Sequence, residues 1–350
     1  MPENIIITND CAGALRRIIA DAGNPRVFVI ADENTARLCV PRLRLDGATL
    51  LTTPAGDENK NLGAAATLWE KLSASGATRS SLAICAGGGM VTDLGGFVAS
   101  TFKRGMPYVN VPTTLLGAVD ASTGGKTGIN FAGLKNEIGV FAQPLATVAG
   151  TCFFDTLPAH ELMSGYAEML KHALLEGPYA LDEIMDFDPL TAPDSPQMLE
   201  LMHKSIGVKQ RIVESDPREK GPRKALNAGH TAGHALESLA MERGRNEGHG
   251  YAVARGLVTE LVLSHMKLGF PSDILYRVAA FVREHYGPAD ITCDDYPRLI
   301  GLMRHDKKNS TTEAINFTLF SAPGEAHINR TASEEEITAA LDIYRDLTGC

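Results

Sequence analysis

The chain has 350 residues and a formal net charge of −9, with 44% apolar and 21% charged residues. This length is too great for one small core and predicts two domains, at residues 1–152 and 153–350. The negative charge argues against a nucleic-acid-binding face, which needs a basic surface. The negative charge is compatible with a small anionic substrate, because a local cluster of Lys and Arg is enough to bind one.

The six cysteines are scattered and form no C-x-x-C pair, which is typical of reduced thiols. The N-terminal residues carry no basic region ahead of an apolar one, so we expect no secretory signal. No apolar stretch approaches the roughly twenty residues that cross a bilayer. These features predict a cytoplasmic protein with neither a membrane nor a nucleic acid as its partner.

The first half of the chain alternates predicted strands with predicted helices. Residues 26–31 and 81–86 are short continuous apolar runs, as expected of parallel strands covered on both faces. An extended segment at 48–52 and a helical pattern at 62–75 lie between them, and a further strand is predicted at 108–111. This order predicts an α/β domain with a parallel sheet.

A glycine turn follows the predicted strand at 81–86. Gly87, Gly88 and Gly89 lead directly into a helical stretch, a layout that brings backbone N–H groups and a helix N-terminus to a pyrophosphate. Asp32, at the end of the first strand, is well placed to hold ribose hydroxyls. The glycine spacing departs from G-x-G-x-x-G, so a tight turn of any α/β fold remains the alternative. A Rossmann-like NAD-binding domain is thus one of the two interpretations that these residues leave open.

Residues 124–128 invite comparison with a phosphate-binding P-loop. The match fails, because Asp120 stands where that motif has its first glycine and no strand precedes the loop, which argues against a P-loop kinase. Lys126 remains a candidate phosphate contact. The polar pair Lys135 and Asn136 could share the same ligand.

The second half is predicted to be mostly α-helical, because apolar residues recur there at helical spacing. Gly177 and Pro178, and the proline-containing stretch 186–196, are its clearest breaks. The predicted helices cover residues 161–175, 198–212, 224–239, 252–268 and 274–285.

Three histidines of this helical domain could bind a metal. His230 and His234 are four residues apart, which places them one above the other on a helix, and His249 arrives from another segment. Catalytic zinc takes three protein ligands and keeps an open position, and a carboxylate such as Glu168 is a normal partner of two histidines. The pair alone does not establish a metal, because buried or surface histidines also reach this spacing. Cobalt or manganese would accept the same ligands.

An ordered set of motifs resembles those of the 3-dehydroquinate synthases, from about Asp32 to Asn309. They are GGGMVTDLGGF at 87–97, VPTTLL at 111–116, Val119-Asp120, GGKTGIN at 124–130, Lys135-Asn136, GYAEMLK at 165–171, LNAGHTAGH at 226–234 and His249-Gly250. The family converts 3-deoxy-D-arabino-heptulosonate 7-phosphate to 3-dehydroquinate in the shikimate pathway. The resemblance therefore implies that activity, with NAD and a divalent metal, zinc or alternatively cobalt, as cofactors and a sugar phosphate as substrate.

The resemblance also implies roles for individual residues. The zinc ligands would be Glu168, His230 and His249. The residues on NAD would be Asp32, Asn34, Asp57, Lys60, Gly88, Gly89, Met90, Asp93, Thr113, Thr114, Lys126 and Lys135. The substrate would be surrounded by Asp120, Lys126, Lys135, Asn136, Lys171, Lys209, Arg223, Asn227, His234 and Lys307. Arg104 would reach the phosphate site of a neighbouring subunit, which implies a homodimer.

Three positions depart from the commonest family pattern. Tyr251 stands where a glutamate usually follows His249-Gly250, Asp57 replaces a glutamate, and Thr92 replaces a glycine. A glutamate at 251 could orient the metal ligand, so its loss could weaken metal binding. Because a tyrosine hydroxyl can also take part in a hydrogen bond, we predict retained activity.

Other functions remain as alternatives. Sister sugar-phosphate cyclases, which make 2-deoxy-scyllo-inosose or a valiolone, act on substrates without a carboxylate, whereas Lys209 and Arg223, with the Lys135-Asn136 pair, favour a substrate that has one. A metal-dependent polyol dehydrogenase would have no need of so many phosphate-binding cations. A non-catalytic NAD-binding protein is the remaining alternative, and the metal content after mild purification would distinguish it from the enzyme.

Overall fold

The computed structural model describes residues 4–217, 219–245, 247–304 and 315–350. They form two compact units. The first contains the chain up to Pro158 together with Leu190–Ile206, and the second contains Ala159–Pro189 and the chain from Gly207 onward. Lys307, a substrate residue implied by the resemblance, lies outside the described residues.

The first unit is built on a six-stranded parallel sheet with the strand order β1-β8-β5-β4-β2-β3. Two further strands, β6 and β7, pair as a separate antiparallel hairpin. The strands are β1 (Ile5–Ile7), β2 (Val27–Asp32), β3 (Thr49–Thr53), β4 (Leu82–Gly87), β5 (Tyr108–Pro112), β6 (Lys126–Phe131), β7 (Leu134–Phe141) and β8 (Ala146–Ala149). The helices between them are α1 (Cys11–Asp21), α2 (Glu33–Leu38), α3 (Leu62–Ala74) and α4 (Gly89–Thr101).

The central strands are buried on both faces, which is why they read as continuous apolar runs. In β2, Phe28 and Ile30 belong to one apolar cluster and Val29 to another. Helix α4 packs directly on β4, because a Cβ at Gly95 would lie 2.6 Å from the Cys85 sulfur. The predicted α/β domain is confirmed, with four of its strands and α3 and α4 close to their predicted places. The short strands β1 and β8 were not predicted.

The second unit is mostly helical, as predicted. Its helices are α5 (Ala159–Glu176), α6 (Pro178–Met185), α7 (Pro196–Ser215), which begins in the first unit, α8 (His230–Glu242), α9 (His249–Leu268), α10 (Ser272–Tyr286), α11 (Tyr296–Arg304) and α12 (Glu334–Thr348). An antiparallel hairpin of β9 (Ile315–Ala322) and β10 (Glu325–Ala332) was not predicted. Among the described residues, no helix has both the length and the apolar character needed to cross a membrane.

Helix α9 is the centre of this unit, and it packs against α5, α8, α10, α12 and β9. The helix predicted at 224–239 is wrong in its first part, where a 3-10 turn covers Pro222–Asn227 and α8 begins only at His230. The reason is Gly229, whose φ of +76° breaks the helical path before the first histidine.

Candidate active site

The second unit brings together the histidines predicted to bind a metal. We call Glu168, His230, His234 and His249 the histidine cluster. His230 and His249 each place Nε2 near the same carboxylate oxygen, Glu168 Oε1, at 3.6 and 3.7 Å. The ring nitrogens of the three histidines also form a group within 4.8 Å of one another. His234, which the resemblance assigns to the substrate, thus lies beside the predicted metal ligands.

Close backbone packing fixes where the two histidine-bearing helices begin. A Cβ at Gly256 on α9 would lie 2.1 Å from the Gly229 carbonyl oxygen, so α8 and α9 can approach only because residue 256 is glycine. The buried Glu260 carboxylate, also on α9, accepts hydrogen bonds from the backbone N–H groups of Gly229, Thr231 and Ala232, at 2.8, 3.0 and 3.2 Å. These contacts hold the first turn of α8, and with it His230.

A second close contact fixes His249. A Cβ at Gly250 would lie 2.0 Å from the Ser164 carbonyl oxygen, and the Gly250 N–H donates to Ser164 Oγ at 3.0 Å. The start of α9 is therefore held against α5, the helix that carries Glu168.

The Glu168 carboxylate is completely buried, and neither of its oxygens has a hydrogen-bond partner among the described residues. It forms an ion pair with the buried Lys171 ammonium one turn along α5. A buried carboxylate is costly unless neighbouring charges and hydrogen-bond donors compensate for the lost water. Two imidazole nitrogens beside it make this an environment that a divalent cation would fit.

The other nitrogen of each ring has an acceptor. His230 Nδ1 lies 3.0 Å from the Ala228 carbonyl oxygen, and His249 Nδ1 lies 3.3 Å from Glu237 Oε2. Because a carbonyl oxygen and an ionised carboxylate can only accept, each Nδ1 carries a proton, and in a neutral ring this leaves the lone pair on Nε2. Neutral imidazoles in this tautomer are metal ligands.

Four further residues of this unit were predicted to contact the substrate. Lys171, Lys209 and Arg223 are buried, which is unusual for cations. Arg223 Nη1 donates to the Pro217 carbonyl at 2.9 Å, and Asn227 Nδ2 donates to Glu219 Oε1 at 3.0 Å.

In the first unit, the predicted glycine turn lies beside the end of β5. Thr113 N donates to the Gly87 carbonyl at 2.9 Å, and a Cβ at Gly88 would lie 3.0 Å from Thr114 Cγ2. Gly88 precedes α4, and no side chain in the described part of the chain caps the N-terminus of that helix. Uncapped N–H groups at a close-packed glycine turn suit an anion such as a pyrophosphate. The Met90 side chain, in the first turn of α4, packs against the apolar core.

Asp32 has a structural contact that sequence analysis missed. Its side-chain Oδ1 accepts hydrogen bonds from the backbone N–H groups of Asn34 and Thr35, at 2.8 and 2.9 Å, and so caps α2. The residue ends β2, as predicted, and Asn34 is exposed in the first turn of the helix that follows.

A polar network surrounds the buried Lys60. Its Nζ lies 2.7 Å from Asn136 Oδ1, 3.1 Å from Asp93 Oδ2 and 3.3 Å from Asp57 Oδ1. Burial raises the pKa of Asp93 to about 6, although the Lys60 ammonium opposes the increase. We call Asp57, Lys60, Asp93, Asn130 and Asn136 the lysine cluster. The cluster joins Asp57, Lys60 and Asp93, which the resemblance assigns to NAD, with Asn136, which it assigns to the substrate.

Asn130 was not among the predicted site residues. Its Nδ2 donates to the Asp57 carbonyl and to Asp57 Oδ2, at 3.0 and 3.1 Å, and its Oδ1 accepts from the Asn136 N–H at 2.9 Å. Asn130 is the last residue of the motif GGKTGIN, so the sequence did contain a signal for it. Its hydrogen-bond partners, however, lie 73 and 6 positions away along the chain.

The remaining predicted residues of the first unit lie on its loops and hairpin. Lys126 begins β6 and Lys135 lies in β7, both exposed, while Asp120 lies in a short π-helical turn at Gly117–Ala121. Arg104 is exposed and has a φ of +67°, in a tight turn after α4. The substrate residues implied by the resemblance are therefore distributed over both units.

Two sequence families match the chain in succession. The 3-dehydroquinate synthase N-terminal family matches residues 50–164, and the 3-dehydroquinate synthase C-terminal family matches residues 165–309. The 3-dehydroquinate synthase of Parabacteroides distasonis is 44% identical over 351 aligned positions, which cover 99% of each chain.

Solved structures share the fold. A 2-epi-5-epi-valiolone synthase from Streptomyces hygroscopicus subsp. jinggangensis, with NAD+ and Zn2+ bound, has a TM-score of 0.85 at 25% identity and covers 99% of this chain and 97% of its own. A 2-deoxy-scyllo-inosose synthase complexed with carbaglucose-6-phosphate, NAD+ and Co2+ has a TM-score of 0.83 at 22% identity, over 98% and 96% of the two chains. The family models and the relative at 44% identity decide among these enzymes: the chain belongs to the 3-dehydroquinate synthase family.

Proposed function

We propose that this enzyme converts 3-deoxy-D-arabino-heptulosonate 7-phosphate to 3-dehydroquinate and phosphate, as an NAD- and metal-dependent carbon–oxygen lyase. The observation that carries the proposal is the histidine cluster, in which a buried carboxylate that accepts no hydrogen bond from the described residues faces two imidazole Nε2 atoms at 3.6 and 3.7 Å. The cluster is formed by the family's own motifs.

Glu168, His230 and His249 would hold the metal, most simply zinc. When bound, a divalent metal would hold the vicinal hydroxyls of the substrate and lower the pKa of the one that is oxidised. The protein contributes the tautomer of each imidazole, set by its Nδ1 acceptor, and the buried Lys171 beside Glu168.

NAD would be held by the glycine turn at 87–89, the end of β5 and the lysine cluster. When bound, NAD would take a hydride from C5 and return it later, so that a ketone exists while phosphate is eliminated across C6 and C7. The uncapped N-terminus of α4 would receive the pyrophosphate.

The substrate carries a carboxylate and a phosphate, and the chain offers cations for both. Lys209 and Arg223 would pair with the carboxylate, while Lys126, Asn136 and His234 would bind the phosphate. Arg104 is exposed, and in the proposed homodimer it would serve the phosphate site of a second copy. We assign no protein base to the proton lost on elimination, because the departing phosphate can take it, and His234 is the candidate relay. The enzyme is proposed to work in the cytoplasm, in keeping with its six free cysteines.

The test is a turnover assay. Purified protein with NAD and zinc is given 3-deoxy-D-arabino-heptulosonate 7-phosphate, and inorganic phosphate, product mass and the absorbance of NADH are followed. We expect stoichiometric phosphate and 3-dehydroquinate, no net NADH, and loss of both products after chelation, with recovery on adding zinc. Phosphate release only from sedoheptulose 7-phosphate or glucose 6-phosphate would instead make the protein a sister cyclase.

A further inference from the structure

We propose that Glu237 is a positioning residue for His249, and that it has the orienting role that sequence analysis considered for position 251. Its carboxylate accepts the Nδ1–H of His249 and so directs Nε2 toward the metal. The inference rests on the proposed function to the extent that it assumes a metal at the histidine cluster.

The geometry places the two partners on opposite sides of one ring. Glu237 lies on α8, three residues after His234, and its Oε2 is 3.3 Å from His249 Nδ1. On the far side of the ring, His249 Nε2 is 3.7 Å from Glu168 Oε1. The Glu237 side chain is only 15% exposed and that of His249 is 29% exposed, so water competes little for this contact. A carboxylate behind a ligating imidazole fixes its tautomer and raises its basicity.

The two metal-binding histidines are oriented by different chemistry. His230 Nδ1 meets a backbone carbonyl, that of Ala228, whereas His249 Nδ1 meets a charged side chain. A backbone acceptor is retained whatever the sequence, but the acceptor of His249 can be removed by substitution. The orientation of His249 can therefore be tested by substituting the side chain of Glu237.

Tyr251 is engaged elsewhere. Its ring packs edge-on against Tyr286, with ring centroids 5.2 Å apart, and the guanidinium of Arg255 lies 5.9 Å from its centre. These contacts give the aromatic side chain a packing role. The departure from the family's usual glutamate at 251 thus leaves the Glu237 contact with His249 intact.

The experiment measures metal affinity, which does not depend on turnover. Apoprotein is titrated with zinc against a chromophoric chelator, and the visible absorption spectrum of the cobalt-loaded protein reports ligand geometry. We expect Glu237→Ala to weaken zinc binding about 10- to 100-fold and to change the cobalt spectrum. Glu237→Gln, which keeps a neutral acceptor, should show a smaller loss.

Glu242→Gln is the matched control, because it neutralises an exposed carboxylate on the same helix whose partner is Arg298. We expect it to leave zinc affinity and the cobalt spectrum unchanged. Unaltered affinity in both Glu237 variants would overturn the proposal, as would an equal loss in Glu242→Gln or a wild-type protein that binds no zinc. Zinc binding that depends on Glu237 in a protein without turnover would support the positioning role and reject the proposed function instead.

Discussion

The lysine cluster and the histidine cluster differ in the partners that surround their buried charges. In the lysine cluster, the Lys60 ammonium has two carboxylates and an amide oxygen within 3.3 Å. In the histidine cluster, both oxygens of the buried Glu168 carboxylate lack hydrogen-bond partners among the described residues. The Lys60 ammonium is surrounded by protein acceptors, whereas the Glu168 carboxylate pairs with Lys171 and also faces two imidazole nitrogens that a metal ion can bind. We therefore expect removal of a bound metal to change the histidine cluster more than the lysine cluster.

The largest expected effect follows from neutralising that carboxylate. Glu168→Gln removes the negative charge that faces His230 and His249. Zinc affinity should therefore fall by more than about 100-fold, which is the largest loss usual for a residue that only contacts a metal ligand. The rate of phosphate release should fall as well, and the measurements are the metal content after dialysis and the initial rate of phosphate release. Glu176→Gln, on the same helix with an exposed ion pair to Arg211, should retain both; equal behaviour of the two variants would contradict the assignment.

The next effect tests the backbone packing that supports the histidine cluster. Gly256→Ala would place a Cβ 2.1 Å from the Gly229 carbonyl oxygen, so α8 and α9 must separate. We expect the free energy of unfolding to fall by at least about 3 kcal/mol, the upper range for overpacking. Gly301→Ala, in α11 with no atom of the described residues within 4 Å of the new Cβ, is the control. Alanine should stabilise that helix by about 0.5–1 kcal/mol, and urea unfolding measured by circular dichroism compares the two.

Local patterns predicted the parts of each cluster that depend on local structure. The strand β4, its glycine turn and α4 followed from an apolar run and three glycines, and the histidine spacing indicated a metal site. The contacts that complete each cluster join distant residues: Lys60 and Asn136 are 76 positions apart, and Glu260 and Gly229 are 31 apart. No periodicity encodes such pairs, and β1 and β8, with three and four residues, form only because the sheet brings them together.

A pH experiment examines the lysine cluster. Burial raises the pKa of Asp93 from 3.8 to about 6, so the native state binds this proton more tightly than the unfolded state does. The stabilisation is complete below pH 3.8 and is lost as the pH rises through 6. Asp93→Asn cannot titrate, so its free energy of unfolding relative to wild type should rise between pH 4 and 7, by at most about 3 kcal/mol.

The single tryptophan allows the free energy of unfolding of the first unit to be measured by itself. Trp69 lies in α3 and its indole N–H donates to the Val98 carbonyl at 3.2 Å, so its fluorescence during urea unfolding reports that unit. Asp57→Asn removes a half-exposed carboxylate that pairs with the same Lys60 ammonium, so it is the control for loss of a negative charge alone. A difference between Asp93→Asn and wild type that does not vary with pH would show that burial of Asp93 does not govern its protonation.

The smallest expected effect concerns Tyr251, because its ring and not its hydroxyl makes the contacts with Tyr286 and Arg255. Tyr251→Phe keeps the ring, so we expect zinc affinity to change less than about 2-fold and stability by less than about 0.5 kcal/mol. Chelator competition and urea unfolding measure both. A 10-fold loss of zinc affinity would mean that the hydroxyl orients His249, and the comparison with Glu237→Ala would then assign that role to position 251. A negligible change, beside a large one at Glu237, would show that a family position can lose its usual glutamate when a neighbouring helix supplies the carboxylate.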